Sequence, residues 1–308
     1  MLLLFSLYAC KSDKVKNEVA ILKYVTHPAL DEMENAYYKR LDSLLNTIDE
    51  KWIIEKYNAN ANPTTASSIA KSFMQKNVDH IFTIATPSAI AVSKNTTEIP
   101  HIYGAVADPK GANIIPSNRS TGIANAGENI IRDALTFIKA VYGQEVRIGT
   151  IHNPQEQNSI YIQKLIKEIC ADLKLDLTQA TIQNTGNLNS ATNALCKKVD
   201  IIYSANDNTV NSGVKAITSV SNEYNIPFII GDLSTLNKGA LFAIGLEYKS
   251  MGQNLADISF EIIKGKSISS FPPKDAPSPE IWFNKNVASK LKYTPNDSLI
   301  KLYTVKIK

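Results

Sequence analysis

The chain has 308 residues, of which 44% are hydrophobic, 20% charged and 8% aromatic. That balance excludes disordered, collagen-like and multi-span membrane proteins and supplies one large or two ordinary domains. Thirty-three Lys and Arg against 29 Asp and Glu give +4, and the basic residues are scattered, so no nucleic-acid footprint is present. Three cysteines (Cys10, Cys170, Cys196) and four histidines (His27, His80, His101, His152) show no C-x-x-C or H-x-x-x-H spacing, and no metal or other cofactor is expected.

The apolar start Met1–Ala9 is far shorter than the ~20 residues of a spanning helix. Its end, Leu7-Tyr8-Ala9-Cys10, resembles the bacterial lipobox, which implies cleavage before Cys10 and a diacylated sulfur. Lys11 to Glu18 is polar and aperiodic and reads as a tether that leaves the folded body in the aqueous phase beside a membrane.

From residue 19 short runs rich in Ile, Val, Phe and Tyr alternate with segments of 3.6-residue period, the pattern of a parallel sheet flanked by helices. Strands are expected at Val19–Val25, Trp52–Tyr57, His80–Ala85, His101–Val106 and Ser120–Ala124. The pattern then restarts with Arg147–Asn153, Asp176–Ile182, Asp200–Ala205, Pro227–Gly231 and Leu241–Gly245. The fold class expected is α/β, with two doubly wound parallel-sheet lobes joined by a hinge. A helix over Met251–Lys264, a Pro-rich link, the strand Ile281–Phe283 and a helix over Asn284–Leu291 close the chain. This divides it into 1–18 as leader and tether, 19–122 plus 248–281 as lobe I, and 123–247 plus 282–308 as lobe II. With strand order 2-1-3 the helices carrying Cys170 and Cys196 lie on opposite sheet faces, which predicts two free thiols.

Ligands of open α/β sheets bind at the carboxyl ends of the strands. There, Thr86 reads as an N-cap with Pro87 at N1, and the N–H groups of Ser88 and Ala89 offer an anion seat for a carboxylate. Asp207 or Asp232 suits an ammonium group, with Asp207 as a plain helix cap the alternative. Tyr24 and Tyr103 are candidates for an aromatic wall; Phe82 and Tyr203 read as core, and His27 as a polar rim or a local cap.

Thr26-His27-Pro28-Ala29-Leu30-Asp31, Ile84-Ala85-Thr86-Pro87-Ser88-Ala89, Ala105-Val106-Ala107-Asp108-Pro109, Ser120-Thr121-Gly122, Asn153-Pro154-Gln155-Glu156-Gln157-Asn158-Ser159 and Asp207-Asn208-Thr209-Val210 follow the order and spacing of one family. The chain resembles the TrpX-like substrate-binding proteins of ABC transporters from about residue 19 to about 295. The resemblance implies a type I periplasmic-binding-protein fold, an aromatic or other apolar amino acid in the interlobe cleft, and an ABC permease with its ATPase as partners. It implies Thr86, Ser88 and Ala89 as the carboxylate site, Asn158 and Ser159 as closing-lobe contacts, and Asp207 and Asn208 as the amine side. It departs from the family at Ala107, where Thr is common, and at Glu247, where Asp is common.

An enzyme is disfavoured: G-x-G-x-x-G, G-x-x-x-x-G-K-[ST] and G-x-S-x-G are all missing from the chain. Only 18 residues precede Val19, too few for the DNA-binding module of a repressor. An extracytoplasmic sensor partnering a membrane receptor is the alternative reading.

Overall fold

The computed structural model describes residues 17–96, 98–114, 119–125, 127–275 and 277–308. The proposed lipid-attachment residue Cys10 lies outside them. Among the described residues no helix is long and apolar enough to cross a membrane.

Two sheets form the frame. The first orders its strands β2-β1-β3-β4-β5, from β1 (Asn17–Lys23), β2 (Trp52–Asn58), β3 (His80–Ile84), β4 (His101–Val106) and β5 (Ser120–Ala124). All neighbours are parallel, as in the expected doubly wound arrangement. The second repeats that order with β6 (Arg147–His152), β7 (Asp176–Thr181), β8 (Ile201–Ser204), β9 (Phe228–Asp232) and β10 (Phe242–Leu246). Its far edge adds β11 (Glu280–Phe283), antiparallel to β10, and β12 (Lys306–Ile307). β1 begins at Asn17, so Asn17 and Glu18 belong to the sheet and not to a tether. β5 runs on to Ala124 and β11 starts at Glu280, so lobe boundaries after residues 122 and 281 would each cut a strand.

Helices α1 (Pro28–Leu45), α2 (Pro63–Lys76) and α3 (Thr86–Asn95) serve the first sheet. The second carries α4 (Glu128–Tyr142), α5 (Gln157–Leu173), α6 (Leu188–Cys196), α7 (Asn208–Ser212) and α8 (Val214–Glu223). The chain then returns to the first lobe as α9 (Tyr248–Ile263), which lies on α1, and ends with α10 (Lys285–Lys290) and α11 (Asp297–Leu302). The α1–α9 seam is tight. A Cβ on Gly252 would sit 2.6 Å from the carbonyl oxygen of Met33, so only glycine lets the two backbones approach this far. Tyr37 Oη donates to Ser259 Oγ at 2.7 Å across the same seam, and Arg40 pairs with Asp257 at its exposed end.

Alternation along each strand of the second sheet splits its core in two. Ile148, Tyr203 and Phe242 face α4 and α5, while Ile202, Phe228 and Ala243 face α6 and α8. Cys170 lies in the first of these clusters and Cys196 in the second, both buried and free, so the sheet separates them as the topology predicts. Alkylating the unreduced, denatured chain should label both the Cys170 and Cys196 peptides fully; an unlabelled, linked pair recovered by mass spectrometry would contradict the topology.

Candidate ligand site between the lobes

The carboxyl ends of the two sheets face each other and enclose a cavity. The first lobe and the crossing segments supply His27, Leu30, Ala105, Ala107, Asn125 and Tyr248; the second supplies Asn158, Asn206, Asn208 and Asn211. The enclosed space is about 10 Å³, room for one water, so the lobes are shut on each other. Asn206 Nδ2 reaches the carbonyl oxygen of Asn125 at 3.4 Å, a hydrogen bond that joins the two lobes.

The cavity wall is polar but incompletely paired. Among the described residues both ring nitrogens of His27 and the Oδ1 atoms of Asn125, Asn158, Asn206 and Asn211 are buried without hydrogen-bond partners. Buried polar atoms are normally paired, so such a concentration marks a place built for a polar guest. The amide orientations follow from their other contacts. Asn158 Nδ2 points to Glu156 Oε2 (3.3 Å) and the Asn206 carbonyl (3.4 Å), and Asn206 Nδ2 points to a carbonyl. Their oxygens are therefore presented as acceptors. Burial lowers His27 to about 4, so the imidazole is neutral near pH 7. Asn208 favours its charged form without closing a hydrogen bond of normal geometry.

The residues expected from the sequence fall into three groups. Asn158 and Asn208 line the cavity, and His27 forms its polar wall. Asp232 lies just outside the lining, fully buried, with Oδ1 accepting from Ser234 N and Oγ and with Oδ2 unpartnered. Burial raises its carboxyl to about 6, and the charge of Glu32 on α1 pushes the same way, which places Asp232 near the opposite lobe. Tyr248 in the cavity wall also feels the Asp232 charge.

The others do not line the cavity. Ala85 (φ 80°), not Thr86, is the N-cap of α3; Thr86 is the first helical residue, and its Oγ1 accepts from the N–H of Ala107, holding the cavity wall in place. The N–H of Ala89 is bonded to the Ala85 carbonyl and is not free, contrary to the open anion seat expected from the sequence. Ser88 Oγ remains buried and unpartnered in the same turn. Tyr24 Oη donates to the Ala61 carbonyl, and Tyr103 is fully buried in a small cluster with Ala89, Val106 and Ile114. Asp207 caps α7 through Val210 N (2.8 Å), while its Oδ2 accepts from Asn153 N (2.7 Å) and Ser159 Oγ (2.6 Å). Both oxygens are thus spent inside lobe II, and the Ser159 hydroxyl with them.

Sequence reasoning passed over Asn125, Asn206, Asn211 and Tyr248, although the first two follow β5 and β8 within two residues, the same strand-end signal that singled out Asp207. It also passed over Glu156. That carboxylate is 3% exposed and accepts from Thr209 N (3.0 Å), Thr209 Oγ1 (2.7 Å) and Asn208 Nδ2 (2.6 Å) besides Asn158. Among the described residues no cluster of His, Cys, Asp and Glu is arranged to hold a metal.

Two sheets of identical winding, shut on a cavity drawn from both, define a two-lobed solute-binding protein. Residues 18–306 match the family model for ABC transporter substrate binding protein, and the chain belongs to that family. It is a binding protein and not an enzyme, and its place is extracytoplasmic like that of the family. A tyrosine-binding protein of Clostridioides difficile is 29% identical over 283 residues, 91% of this chain and 82% of that one. A Streptococcus pneumoniae ABC domain solved in complex with L-Trp superposes with a TM-score of 0.87 at 22% identity, covering 95% of this chain and all of the other. A ligand-free, open substrate-binding protein with adhesive properties from Clostridium difficile gives 0.69 at 25% identity, covering 95% and 99%.

Proposed function

We propose that the chain captures an α-amino acid with an aromatic or other apolar side chain between its lobes, and hands it to an ABC permease and its ATPase. The observation that carries this reading is the set of unpartnered acceptors at one closed interface: the amide oxygens of Asn125, Asn158, Asn206 and Asn211; Asp232 Oδ2, outside the lining, is buried and unpartnered as well. Acceptors of this kind suit an ammonium group. Ser88 Oγ, in the first turn of α3, is the group for the ligand carboxylate, aided by the positive end of the helix. Leu30, Ala105 and Tyr248 form the apolar part of the wall. The tyrosine-binding relative supports the ligand class.

A cavity of about 10 Å³ admits no amino acid, so binding proceeds by opening at the crossing segments and reclosing on the ligand. Contacts made by both lobes exist only in the closed state and so draw the equilibrium toward it. Diacylation at Cys10 would hold the body at a bacterial membrane, where the closed pair of lobes meets the permease.

A thermal-shift screen of residues 17–308 against the twenty amino acids, myo-inositol and ribose tests the reading, since binding to the folded state raises apparent stability. Stabilisation by tyrosine, tryptophan or phenylalanine is expected; stabilisation by sugars alone would overturn it. Asp232→Asn should weaken amino-acid binding tenfold or more, or about 1.5–2 kcal/mol, with its cap on Ser234 retained. Unchanged affinity by calorimetry would remove Asp232 from the ammonium site.

A further inference from the structure

We propose that Glu156 is a positioning residue for the cleft: its carboxylate orients the side-chain amides of Asn158 and Asn208 so that lobe II presents acceptors to the ligand, and protonating it withdraws that face. The carboxylate does not line the cavity and acts through residues that do. Oε2 receives Nδ2 of Asn208 at 2.6 Å and Nδ2 of Asn158 at 3.3 Å, so each amide must turn its oxygen away from Glu156. For Asn158 that oxygen is buried and unpartnered at the cavity, which Asn208 also lines. Both lone pairs of Oε1 are taken by the N–H and hydroxyl of Thr209.

A proton has two places to go, and they are unequal. On Oε1 it forces the Thr209 hydroxyl to reverse, although that oxygen already accepts from Asn153 Nδ2, and leaves the hydroxyl hydrogen without an acceptor. On Oε2 it meets two amide N–H donors, which are relieved when the amides rotate by half a turn, at the cost for Asn158 of its long 3.4 Å bond to the Asn206 carbonyl. Rotation exchanges acceptors for donors on the cavity side.

The surroundings favour such a proton. The groups facing Glu156 are Asp207 from the start of α7 and Tyr24 from the end of β1, with no Lys or Arg among its main influences. Burial, then the Asp207 charge, raise its carboxyl to about 7, against the pull of Thr209, Asn208 and Asn158. The sign follows: at alkaline pH the carboxylate is charged and the acceptors face the cleft, and as pH falls through neutrality the group takes up a proton and they are progressively lost. A ligand ammonium favours the charged form and is bound less well as pH falls.

The ligand arm rests on the amino-acid reading above; the other arm needs no ligand. In the full chain, the side-chain amide resonances of Asn158 and Asn208, assigned with Asn158→Ser and Asn208→Ser, should titrate together with a midpoint near 7 and stand still in Glu156→Gln. L-Tyrosine affinity should fall tenfold or more from pH 8 to pH 6 in the wild type, and in Glu156→Gln be low with only the roughly twofold fall that protonation of Asp232 contributes. Amides that do not move in the wild type, or that still titrate in a folded Glu156→Gln, would overturn the proposal. If Glu156→Gln does not fold, the wild-type amide titration decides. If tyrosine binds at no pH, the ligand class fails, and the amide titration still decides the role of Glu156.

Discussion

Truncating Phe242 to alanine should cost about 3–5 kcal/mol of unfolding free energy and lower the melting temperature of the second lobe by roughly 10 °C. Phe242 is 1% exposed on the central face of β10. Its ring meets Phe137 of α4 and Phe283 of β11 at 5.1 Å and Tyr293 at 6.0 Å, while Phe137 meets Tyr303 beyond α11 at 5.1 Å. One side chain thus joins the sheet to α4 and to the C-terminal segment, and its loss removes the common partner of several rings at once. The neighbours are held by different elements and cannot collapse together, so the void stays open. Leu302→Ala, at a position 73% exposed, is the control and should change stability by less than about 0.5 kcal/mol. Urea unfolding followed separately in each lobe checks both, and a loss below about 1 kcal/mol for Phe242→Ala would show that the cluster repacks.

Asp207→Ala should destabilise lobe II by about 2–4 kcal/mol, because three buried donors lose their acceptor. The donors are Val210 N, Asn153 N and Ser159 Oγ. They come from three segments, the α7 turn, the end of β6 and the start of α5, so one carboxylate fixes the relative position of the loops that carry Asn158 and Asn208. Asp207→Asn keeps one acceptor oxygen and should fall between wild type and alanine. Both changes remove a charge that raises the Glu156 carboxyl, so Glu156 should titrate at lower pH in either variant. An ammonium ligand held by Asp207 itself would produce the opposite pattern, a large affinity loss with little change in denaturant midpoint.

The two sheets were legible because parallel strands buried on both faces read as continuous apolar runs, such as Val19 to Leu22 and Phe228 to Ile230. β12 and α11 carry no such run: Lys306 is exposed, and α11 buries no residue, its only local signal being the Asn296 side chain that caps Ser298 N and Leu299 N. At the site, strand-end position singled out Asp207 and Asp232, and the family resemblance Asn158 and Asn208, but neither revealed what each carboxylate was already bonded to. Asp207 and Asp232 both follow strands and both cap the next turn. They differ in donors supplied by residues far away in sequence, Asn153 and Ser159 for Asp207, and those partners arrive only with the fold. Glu156 was hidden for the same reason, since its four hydrogen bonds come mostly from residues 208 and 209.

The glycine-tight seam between α1 and α9 bears on how the molecule is made. Tyr37 and Ser259, bonded across it, are 222 residues apart. A ribosome adding about 5–20 residues per second needs roughly 10–45 s to travel that distance. During that interval α1 has no cover for Met33 and Tyr37, and the first lobe, though begun first, cannot be finished before most of the second has been synthesised. The second in turn waits for its edge strand at Glu280–Phe283. The seam of the first lobe therefore closes only after the parallel strands of the second sheet have been made, which sets the order in which the two lobes can be completed.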